Sequence, residues 1–258
     1  NGIKFFDKNG FKLSKEMEEK IEKLVLRNNF KTSKFIGMHV GKVKRIDDAS
    51  GRYIEFAKGS IQNMSLKGLK IVLDCANGAA YKIAPLIFEE LGAEVVVLNN
   101  SPNGLNINKK SGALHPDSLS LAVKKTNADI GMALDGDADR VIIVDEKGEI
   151  VDGDEIIAIC LKNLIHKNSL KNKTVVTTVM SNIGFETAVK ALGLNLIRTD
   201  VGDKYVSEKI RETGAYIGGE QSGHIIFSEY STTGDGVISA LQVLRVMQKT
   251  NKKISDLK

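Results

Sequence analysis

Three aspartates at alternate positions, Asp135, Asp137 and Asp139, have the residue type and spacing of a metal site. They directly follow a short apolar run at 130–134 that has the pattern of a buried strand. In an extended backbone, side chains two positions apart point to the same side, so the three carboxylates would converge. Converging carboxylates repel one another unless a hard cation lies between them, and oxygen ligands suit magnesium or calcium better than zinc. We therefore predict a metal site here in preference to a solvated acidic turn.

An EF-hand calcium loop is the main competing interpretation of this segment. Counted from Asp135, the spacing matches EF-hand positions one, three, five and twelve, the last being Glu146. The sixth position, however, holds Arg140 where an EF-hand needs glycine for its sharp turn. Residues 141–144 also have the pattern of a strand, whereas in an EF-hand these positions would form the end of the loop and the start of the next helix. We therefore reject the EF-hand interpretation.

A glycine-rich segment at 218–224 is the second candidate site. Its paired glycines follow a predicted strand at 215–217, and glycine allows a backbone to approach a ligand closely. The polar residues that accompany them offer a carboxylate, an amide, a hydroxyl and an imidazole: Glu220, Gln221, Ser222 and His224. This assortment is typical of a site that binds sugar hydroxyls, although a turn with incidental polar residues is the alternative.

Other polar residues are weaker candidates. The segment 200–204 follows a third predicted strand, and its Lys204 could reach a phosphate group. His39, His115 and His166 have no partner at the spacing of a metal site or a catalytic triad, so we expect structural roles for them.

Composition and charge narrow the function classes. With 258 residues, 42% hydrophobic and 27% charged, the chain has the composition of a soluble globular protein of two domains. Its apolar runs are far shorter than the roughly 20 residues that span a bilayer, which predicts no membrane partner. The net charge of +5 comes from scattered lysines without interleaved aromatic residues, which disfavours nucleic acid. Two cysteines, Cys75 and Cys160, suggest buried small side chains in a reducing cytoplasm.

The elements that must position these residues form a repeat of strand, helix, glycine and strand. The first copy has a strand at 70–74, a helix at 81–91 ended by Gly92 and a strand at 95–98. The second copy has a strand at 174–178, a helix at 185–192 ended by Gly193 and a strand at 194–198. Each copy is a βαβ unit, which predicts two consecutive α/β/α domains with mixed, mainly parallel sheets. The turn at Lys147-Gly148 predicts their boundary, and ligands are expected beyond the carboxyl ends of the strands.

The N-terminal segment predicts an incomplete domain. A strand at 3–6, a helix at 14–27 and a short helix at 51–58 cannot bury a core by themselves. The chain also begins at Asn1 and not at Met, so we expect residues 1–58 to be the end of a longer first domain. Residues 59–148 are then the second domain and residues 149–258 the third.

These residues resemble the α-D-phosphohexomutases. Residues 135–140 are similar to the metal-binding loop of that family, and residues 218–224 have the Gly-Glu-Gln-Ser-Gly-His form of the sugar-recognition loop in its phosphoglucosamine mutase subgroup. The similarity extends over nearly the whole chain: it includes residues 1–6, 51–58, 74–78, 104–108 and 201–206.

The resemblance implies a function and roles for the residues. The family isomerises sugar 6-phosphates and sugar 1-phosphates through a bisphosphate, with a phosphoserine and Mg²⁺ in a cleft between four domains. It implies that the three aspartates hold Mg²⁺, that Arg140 lies near the phosphate, that Glu220 and Ser222 contact sugar hydroxyls, and that His224 lies beside them. Gln221 favours an amino sugar, and hence a supply of cell-wall precursors, over glucose or mannose. A phosphorylated hexosamine is the implied substrate.

Two motifs of the family are missing from this sequence. The Ser-His-Asn loop with the nucleophile and the Arg-x-Ser-Gly-Thr loop that binds phosphate do not occur. We therefore expect a central fragment that needs domains one and four as partners and is inactive alone. A fragment of a phosphoglucomutase or phosphomannomutase and a non-catalytic magnesium-binding module are the alternatives, and an oligomer is compatible with all three.

Overall fold

The structure, a computed structural model, describes residues 4–26, 41–166 and 172–258. The chain divides into two units, Asn1–Ala49 and Ser50–Lys258. In the first unit, α1 (Lys15–Leu26) is a helix that buries none of its residues. Before α1, Phe6 forms an isolated antiparallel bridge with Lys12. The described part of this unit therefore has little apolar core.

The second unit contains two sheets and the helices that cover them. Its elements are, in chain order, α2 (Ala49–Ser60, from its second residue), β1 (Lys70–Asp74), α3 (Ile83–Glu90), β2 (Glu94–Leu98), α4 (Asp117–Thr126), β3 (Ile130–Leu134), β4 (Val141–Asp145), β5 (Ile150–Val151), α5 (Gly153–His166), β6 (Thr174–Thr178), α6 (Ile183–Ala191), β7 (Asn195–Thr199), α7 (Asp203–Thr213), β8 (Ile217–Gly219), β9 (Ile225–Phe227) and α8 (Gly236–Thr250).

Both sheets are mixed and mainly parallel, as predicted. The first has the strand order β2-β1-β3-β4-β5, with β1, β2 and β3 parallel and β4 and β5 antiparallel to their neighbours. The second has the order β7-β6-β8-β9, in which only β9 is antiparallel to its neighbour. Parallel strands direct their carboxyl ends to one edge, which is where the candidate loops follow β3, β7 and β8.

Helix α4 packs on one face of the first sheet through a glycine. Leu119 and Val123 of α4 are fully buried and pack with residues of β1, β3 and β4. A Cβ at Gly131 in β3 would lie 2.6 Å from the Val123 side chain and 3.0 Å from that of Leu119. Glycine at this position therefore lets the helix approach the sheet, and burial of each large apolar side chain stabilises the fold by about 1.5–3 kcal/mol.

The two sheets share one apolar core. Helix α8, at the end of the chain, packs against α5 and β9 and also against β3 and β4 of the first sheet. One cluster of buried side chains consequently extends from Ile54 in α2 to Leu257. Most residues of α8 are buried, including Leu241 and Leu244. The core therefore contains residues from both sides of the turn at Lys147-Gly148, where the sequence predicts a domain boundary.

Most predicted elements are present with ends shifted by one or two residues. The strand predicted at 3–6 is reduced to the single bridge at Phe6, and Ile3 lies outside the described residues. The helix predicted at 14–27 is α1, except that Arg27 also lies outside them. The strand at 141–144 is β4, which agrees with the rejection of an EF-hand.

The strand predicted at 215–217 is wrong in its position, because β8 is formed by Ile217–Gly219. The paired glycines lie inside the strand. They are close to the backbone of neighbouring strands, whereas the sequence predicted that they would approach a ligand. A Cβ at Gly218 would lie 2.6 Å from the Val176 carbonyl oxygen, and a Cβ at Gly219 would lie 2.6 Å from that of His224. The glycines therefore allow β8 to pack tightly between β6 and β9.

Candidate active site

The three aspartates follow β3 in a tight turn, residues 135–140, which we call the carboxylate loop. One carboxylate oxygen from each of Asp135, Asp137 and Asp139 lies within 4.8 Å of the others. The carboxylates thus converge, although the backbone forms a turn and is not extended. The N–H of Ala138 donates to the carbonyl of Asp135 at 3.1 Å, and Ala138 has a φ of 60°. The turn, and not strand alternation, brings the carboxylates together.

The carboxylate loop concentrates negative charge. Burial raises the pKa of Asp135 to about 6, and the charges of Asp139 and Asp137 add to the increase. Arg140 opposes this effect: its backbone N–H donates to Asp135 at 3.2 Å, and its Nε lies 3.5 Å from Asp135 and 3.7 Å from Asp139. One arginine beside three carboxylates leaves an excess of negative charge. A set of three carboxylate oxygens with this excess fits a hard divalent cation such as Mg²⁺.

The loops after β1 and β2 pack against the carboxylate loop. The N–H of Ala79 donates to the Gly136 carbonyl at 2.8 Å, and a Cβ at Gly78 would lie 2.4 Å from the same oxygen. A Cβ at Gly136 would in turn lie 2.7 Å from Asn108 Nδ2. Glycine is thus needed at positions 78 and 136, because any larger residue would clash with the neighbouring loop at each of these contacts.

Asp74, at the end of β1, organises the same edge of the sheet. Its buried carboxylate accepts hydrogen bonds from the N–H of Ala76 at 2.8 Å, the N–H of Gly112 at 3.0 Å and the side-chain amide of Asn99 at 3.0 Å. The loop after β1 and two separate points of the connection between β2 and α4 are thereby held by one residue. The sequence analysis assigns no role to Asp74, although an aspartate that closes an apolar strand is a signal for such a role.

The glycine-rich loop, residues 218–224, is joined directly to the carboxylate loop. Arg140 and His224 form an isolated antiparallel bridge, and the N–H of Val141 donates to the Gly223 carbonyl at 3.1 Å. A Cβ at Gly223 would lie 2.2 Å from the carbonyl oxygen of Val141. The two loops that the sequence singled out separately therefore form one continuous surface.

His224 is buried between two carboxylates. Its side chain is 3% exposed, and its Nε2 lies 3.8 Å from Asp139 Oδ2 and 3.6 Å from Asp203 Oδ2. The same nitrogen accepts a hydrogen bond from the N–H of Gly234 at 3.3 Å. Asp203 is a site residue that the sequence analysis missed. Its signal was its position as the first residue of α7, directly after Gly202, which has a φ of 134°.

The remaining residues of the glycine-rich loop contact neighbouring segments. Glu220 Oε1 accepts from the N–H of Gly202 at 3.1 Å, which ties the loop to the start of α7, where Lys204 lies. The side-chain amide of Gln221 donates to Asp152 at 2.9 Å. Ser222 is exposed at the end of the loop.

A capping box explains why Asp152 is in place. The backbone N–H of Glu155 donates to the Asp152 carboxylate, and the N–H of Asp152 donates to the Glu155 carboxylate, both at 3.1 Å. The N–H of Gly153 also donates to the Gln221 carbonyl at 3.0 Å. The start of α5 therefore fixes the position of Gln221.

The segment 234–236 connects the two loops. The N–H of Gly236 donates to the Ala138 carbonyl at 2.9 Å, while Gly234 contacts His224. Between them, Asp235 accepts a hydrogen bond from the hydroxyl of Tyr53, whose oxygen lies 2.9 Å from each of the two carboxylate oxygens. Tyr53 and Asp235 were also missed by the sequence analysis, because no local pattern pairs residues from α2 and the start of α8.

The other candidates lie away from this surface or outside the described residues. His115 is exposed, and His39 and the side chain of His166 lie outside the described part of the structure. Cys75 and Cys160 are buried, and burial raises the pKa of each thiol to about 12, which agrees with the predicted structural role. Among the described residues, no helix is long and apolar enough to cross a membrane.

Family models match both sheet-containing parts of the chain. Residues 51–148 match the phosphoglucomutase/phosphomannomutase alpha/beta/alpha domain II, and residues 152–258 match domain III of the same family. A solved phosphoglucomutase/phosphomannomutase family protein from Burkholderia thailandensis superimposes with a TM-score of 0.82 at 25% identity, covering 96% of this chain and 54% of that one.

Curated relatives match over the whole chain. The phosphoglucosamine mutase of Pelobacter propionicus is 57% identical over 258 residues, and that of Geotalea daltonii is 55% identical over the same length. The chain spans 57% of the length of each of these two relatives. Together with the family models, these matches show that the chain belongs to the α-D-phosphohexomutase superfamily and shares more than half of its residues with phosphoglucosamine mutases.

Proposed function

We propose that this chain forms the metal- and sugar-binding centre of a phosphoglucosamine mutase, a cytoplasmic isomerase that interconverts glucosamine 6-phosphate and glucosamine 1-phosphate for cell-wall synthesis. One observation carries the proposal: the Arg140–His224 bridge joins the carboxylate loop to the glycine-rich loop. A phosphate near the first loop and a sugar ring on the second would then be held by one rigid surface. The identity of 57% to a relative named phosphoglucosamine mutase supports the choice of sugar.

The carboxylate loop is proposed to hold Mg²⁺ through Asp135, Asp137 and Asp139. When bound, the ion supplies positive charge that stabilises the transferring phosphoryl group. Arg140 lies beside these carboxylates. Its planar guanidinium matches the geometry of a phosphate group, so we propose that it binds the oxygens of the substrate phosphate. Lys204, in the first turn of α7, is proposed as a second cation for the phosphate.

The glycine-rich loop is proposed to bind the sugar ring. Glu220 and Ser222 would bind hydroxyl groups, and the hydrogen bond from Gly202 orients the Glu220 carboxylate for this role. His224 supports the loop from its buried position between Asp139 and Asp203. The amide of Gln221 is engaged by Asp152, so we propose that Gln221 affects sugar preference by setting the position of the loop.

The nucleophile is proposed to be a phosphoserine outside this sequence. Neither the Ser-His-Asn loop nor the Arg-x-Ser-Gly-Thr loop occurs among the 258 residues. Cys75 and Cys160 cannot replace the serine, because burial raises their pKa values and keeps the thiols protonated. We therefore propose that this chain alone has no mutase activity and that domains one and four of a longer protein complete the site.

Phosphorus NMR of glucosamine 6-phosphate with Mg²⁺ and a trace of the bisphosphate tests this proposal. We expect glucosamine 1-phosphate from the product of the complete reading frame and none from this chain. Asp137→Asn in the complete product should abolish turnover, whereas Asp117→Asn on α4 is the matched control and should not. Turnover by this chain alone would overturn the proposed missing nucleophile.

The same assay separates the alternatives. The matching family models are described as phosphoglucomutase/phosphomannomutase, so glucose and mannose phosphates are run in parallel. If only these sugars react, the amino-sugar assignment is wrong while the superfamily chemistry stands. If the complete product turns over none of the three sugars, a non-catalytic magnesium-binding module is the better description.

A further inference from the structure

A second group of donor atoms lies beside the three aspartates. One ligand atom each from Asp139, Asp203 and His224 lies within 4.8 Å of the others. His224 Nε2 is 3.8 Å from Asp139 Oδ2 and 3.6 Å from Asp203 Oδ2. Both distances exceed the roughly 2.7–3.2 Å of a direct N–H···O hydrogen bond. Donors about 2.0–2.2 Å from a shared tetrahedral ion lie about 3.3–3.6 Å apart, so the Asp203 distance fits ligands of one ion and the Asp139 distance is slightly longer.

We propose that Asp139, Asp203 and His224 form a second cation site, which takes a zinc-class transition metal. The chemistry of the donors distinguishes it from the three-aspartate cluster. Imidazole nitrogen with two carboxylates suits zinc, cobalt or copper, whereas magnesium prefers oxygen ligands alone. Three protein ligands leave the fourth tetrahedral position for water. This site goes beyond the proposed mutase function and does not depend on it.

The three ligands are held by backbone contacts before any ion arrives. Asp203 begins α7 directly after Gly202, whose N–H is fixed by Glu220. His224 is bridged to Arg140, the residue next to Asp139. A small movement of already ordered segments therefore completes the site. The ion must replace the hydrogen bond from the N–H of Gly234 to His224 Nε2, which at 3.3 Å is long.

The two cation sites share Asp139 and must therefore compete. A zinc-class ion bound to His224 takes the Asp139 carboxylate away from the three-aspartate cluster. First-row transition metals bind mixed nitrogen and oxygen sites more tightly than magnesium does. We expect a transition metal at this site to weaken binding of Mg²⁺ to the carboxylate loop.

Cobalt titration of this chain tests the proposal without any need for turnover. Co²⁺ binding is followed by visible absorption, which is intense for a tetrahedral ion, and Mg²⁺ binding by calorimetry. Asp203→Asn should lower the Co²⁺ affinity at the absorbing site by about tenfold or more, because a protein ligand is lost. The Mg²⁺ affinity of the same variant should change by less than about twofold, because Asp203 is not in the three-aspartate cluster.

Matched variants decide between metal ligation and a simple ion pair. Asp137→Asn should show the reverse pattern, with weakened Mg²⁺ binding and retained Co²⁺ absorption. Nitrogen coupling in the electron paramagnetic resonance spectrum of bound Cu²⁺ should be lost in His224→Gln and retained in His115→Gln, which changes an exposed histidine. Asp203→Glu keeps an oxygen ligand and should retain Co²⁺ absorption, and thermal unfolding checks that each variant is folded.

Two results would overturn the proposal. Unchanged Co²⁺ affinity and absorption in a folded Asp203→Asn variant would mean that Asp203 is only an electrostatic partner of His224. Persistent nitrogen coupling in His224→Gln would place the bound Cu²⁺ on a nitrogen ligand other than His224.

Discussion

The hydroxyl of Tyr53 lies 2.9 Å from each carboxylate oxygen of Asp235, which is 182 positions further along the chain. The neighbours of Asp235 contact both candidate loops: Gly234 donates to His224, and Gly236 donates to the carboxylate loop. Burial and the negative charge of Asp235 raise the pKa of Tyr53, so the phenol keeps its proton and remains a donor. This pair therefore fixes the segment that joins the two loops.

Replacing Tyr53 should weaken both the fold and the metal site. In Tyr53→Phe, the half-buried Asp235 carboxylate loses a hydrogen bond, which costs about 1–3 kcal/mol of unfolding free energy. Urea denaturation measures the loss. Because the segment 234–236 then loses its anchor, calorimetry should also show weaker Mg²⁺ binding.

Tyr216→Phe is the matched control for this change. Tyr216 also donates its hydroxyl to a carboxylate, that of Glu229, but this hydrogen bond is exposed, and neither residue belongs to the carboxylate loop, the glycine-rich loop or the segment 234–236. We expect a smaller loss of stability and unchanged Mg²⁺ affinity. Equal effects of the two substitutions would contradict a specific role for Tyr53.

Gly223→Ala should separate the glycine-rich loop from the carboxylate loop. Gly223 has a φ of +89°, and an added Cβ would lie 2.2 Å from the Val141 carbonyl oxygen. The control is Gly193→Ala, where φ is +71° and no atom lies within 4 Å of the added Cβ. Both variants pay the cost of a left-handed conformation, about 1–2 kcal/mol.

Only Gly223→Ala must also move the backbone that links Arg140 to His224. We expect a larger fall in the thermal unfolding midpoint than in Gly193→Ala, together with weakened Mg²⁺ binding. If the two variants lose equal stability and bind Mg²⁺ equally well, the contact between the loops is not rigid.

The strands and helices of the second unit were predictable because their patterns are local. The apolar run 130–134 and the β-branched run 174–178 are strands with the predicted ends. Burial on both faces leaves a continuous apolar signal in the first, and β-branched residues favour a strand in the second. The strand at 215–217 was misplaced, because glycines inside a strand look like a turn. Their role depends on packing against β9 and against β6, and β6 is distant in sequence.

The candidate site was predictable only in part for the same reason. Asp135, Asp137 and Asp139 are neighbours in sequence, so their convergence could be anticipated, although a turn produces it. The approach of Asp203 to His224 and of Tyr53 to Asp235 depends on how α2, α7 and α8 pack. No pattern in one stretch of sequence reports such contacts.

Asp145 should make stability depend on acidic pH. Burial raises its pKa, but hydrogen bonds from the N–H of Glu149 and from Lys258 outweigh that effect, so the net pKa is lowered. A carboxylate with a lowered pKa in the folded state stabilises the fold above the unfolded pKa of about 3.9. This contribution is lost as the pH falls through the lower folded pKa.

Urea unfolding at a series of pH values checks the role of Asp145. We expect Asp145→Asn to be less stable than the parent at pH 7 and to lose less stability on acidification below about pH 4. Glu212→Gln removes an exposed ion pair with Lys209 and serves as the control, with a pH profile like that of the parent. Parallel profiles for the parent and Asp145→Asn would show that Asp145 does not contribute to the acid sensitivity.

Asp137→Asn should separate metal binding from folding. Asp137 is exposed, and its charge adds to the repulsion that raises the pKa of Asp135. Without Mg²⁺, its removal should leave the unfolding free energy unchanged or slightly increased, because that repulsion falls. With Mg²⁺ at about one hundred times the dissociation constant of the parent, the parent gains about 2.7 kcal/mol, whereas the variant should gain much less. Asp117→Asn, an exposed carboxylate on α4, should keep the full gain, and an equal gain in Asp137→Asn would exclude Asp137 as a ligand because the ion would then bind without it.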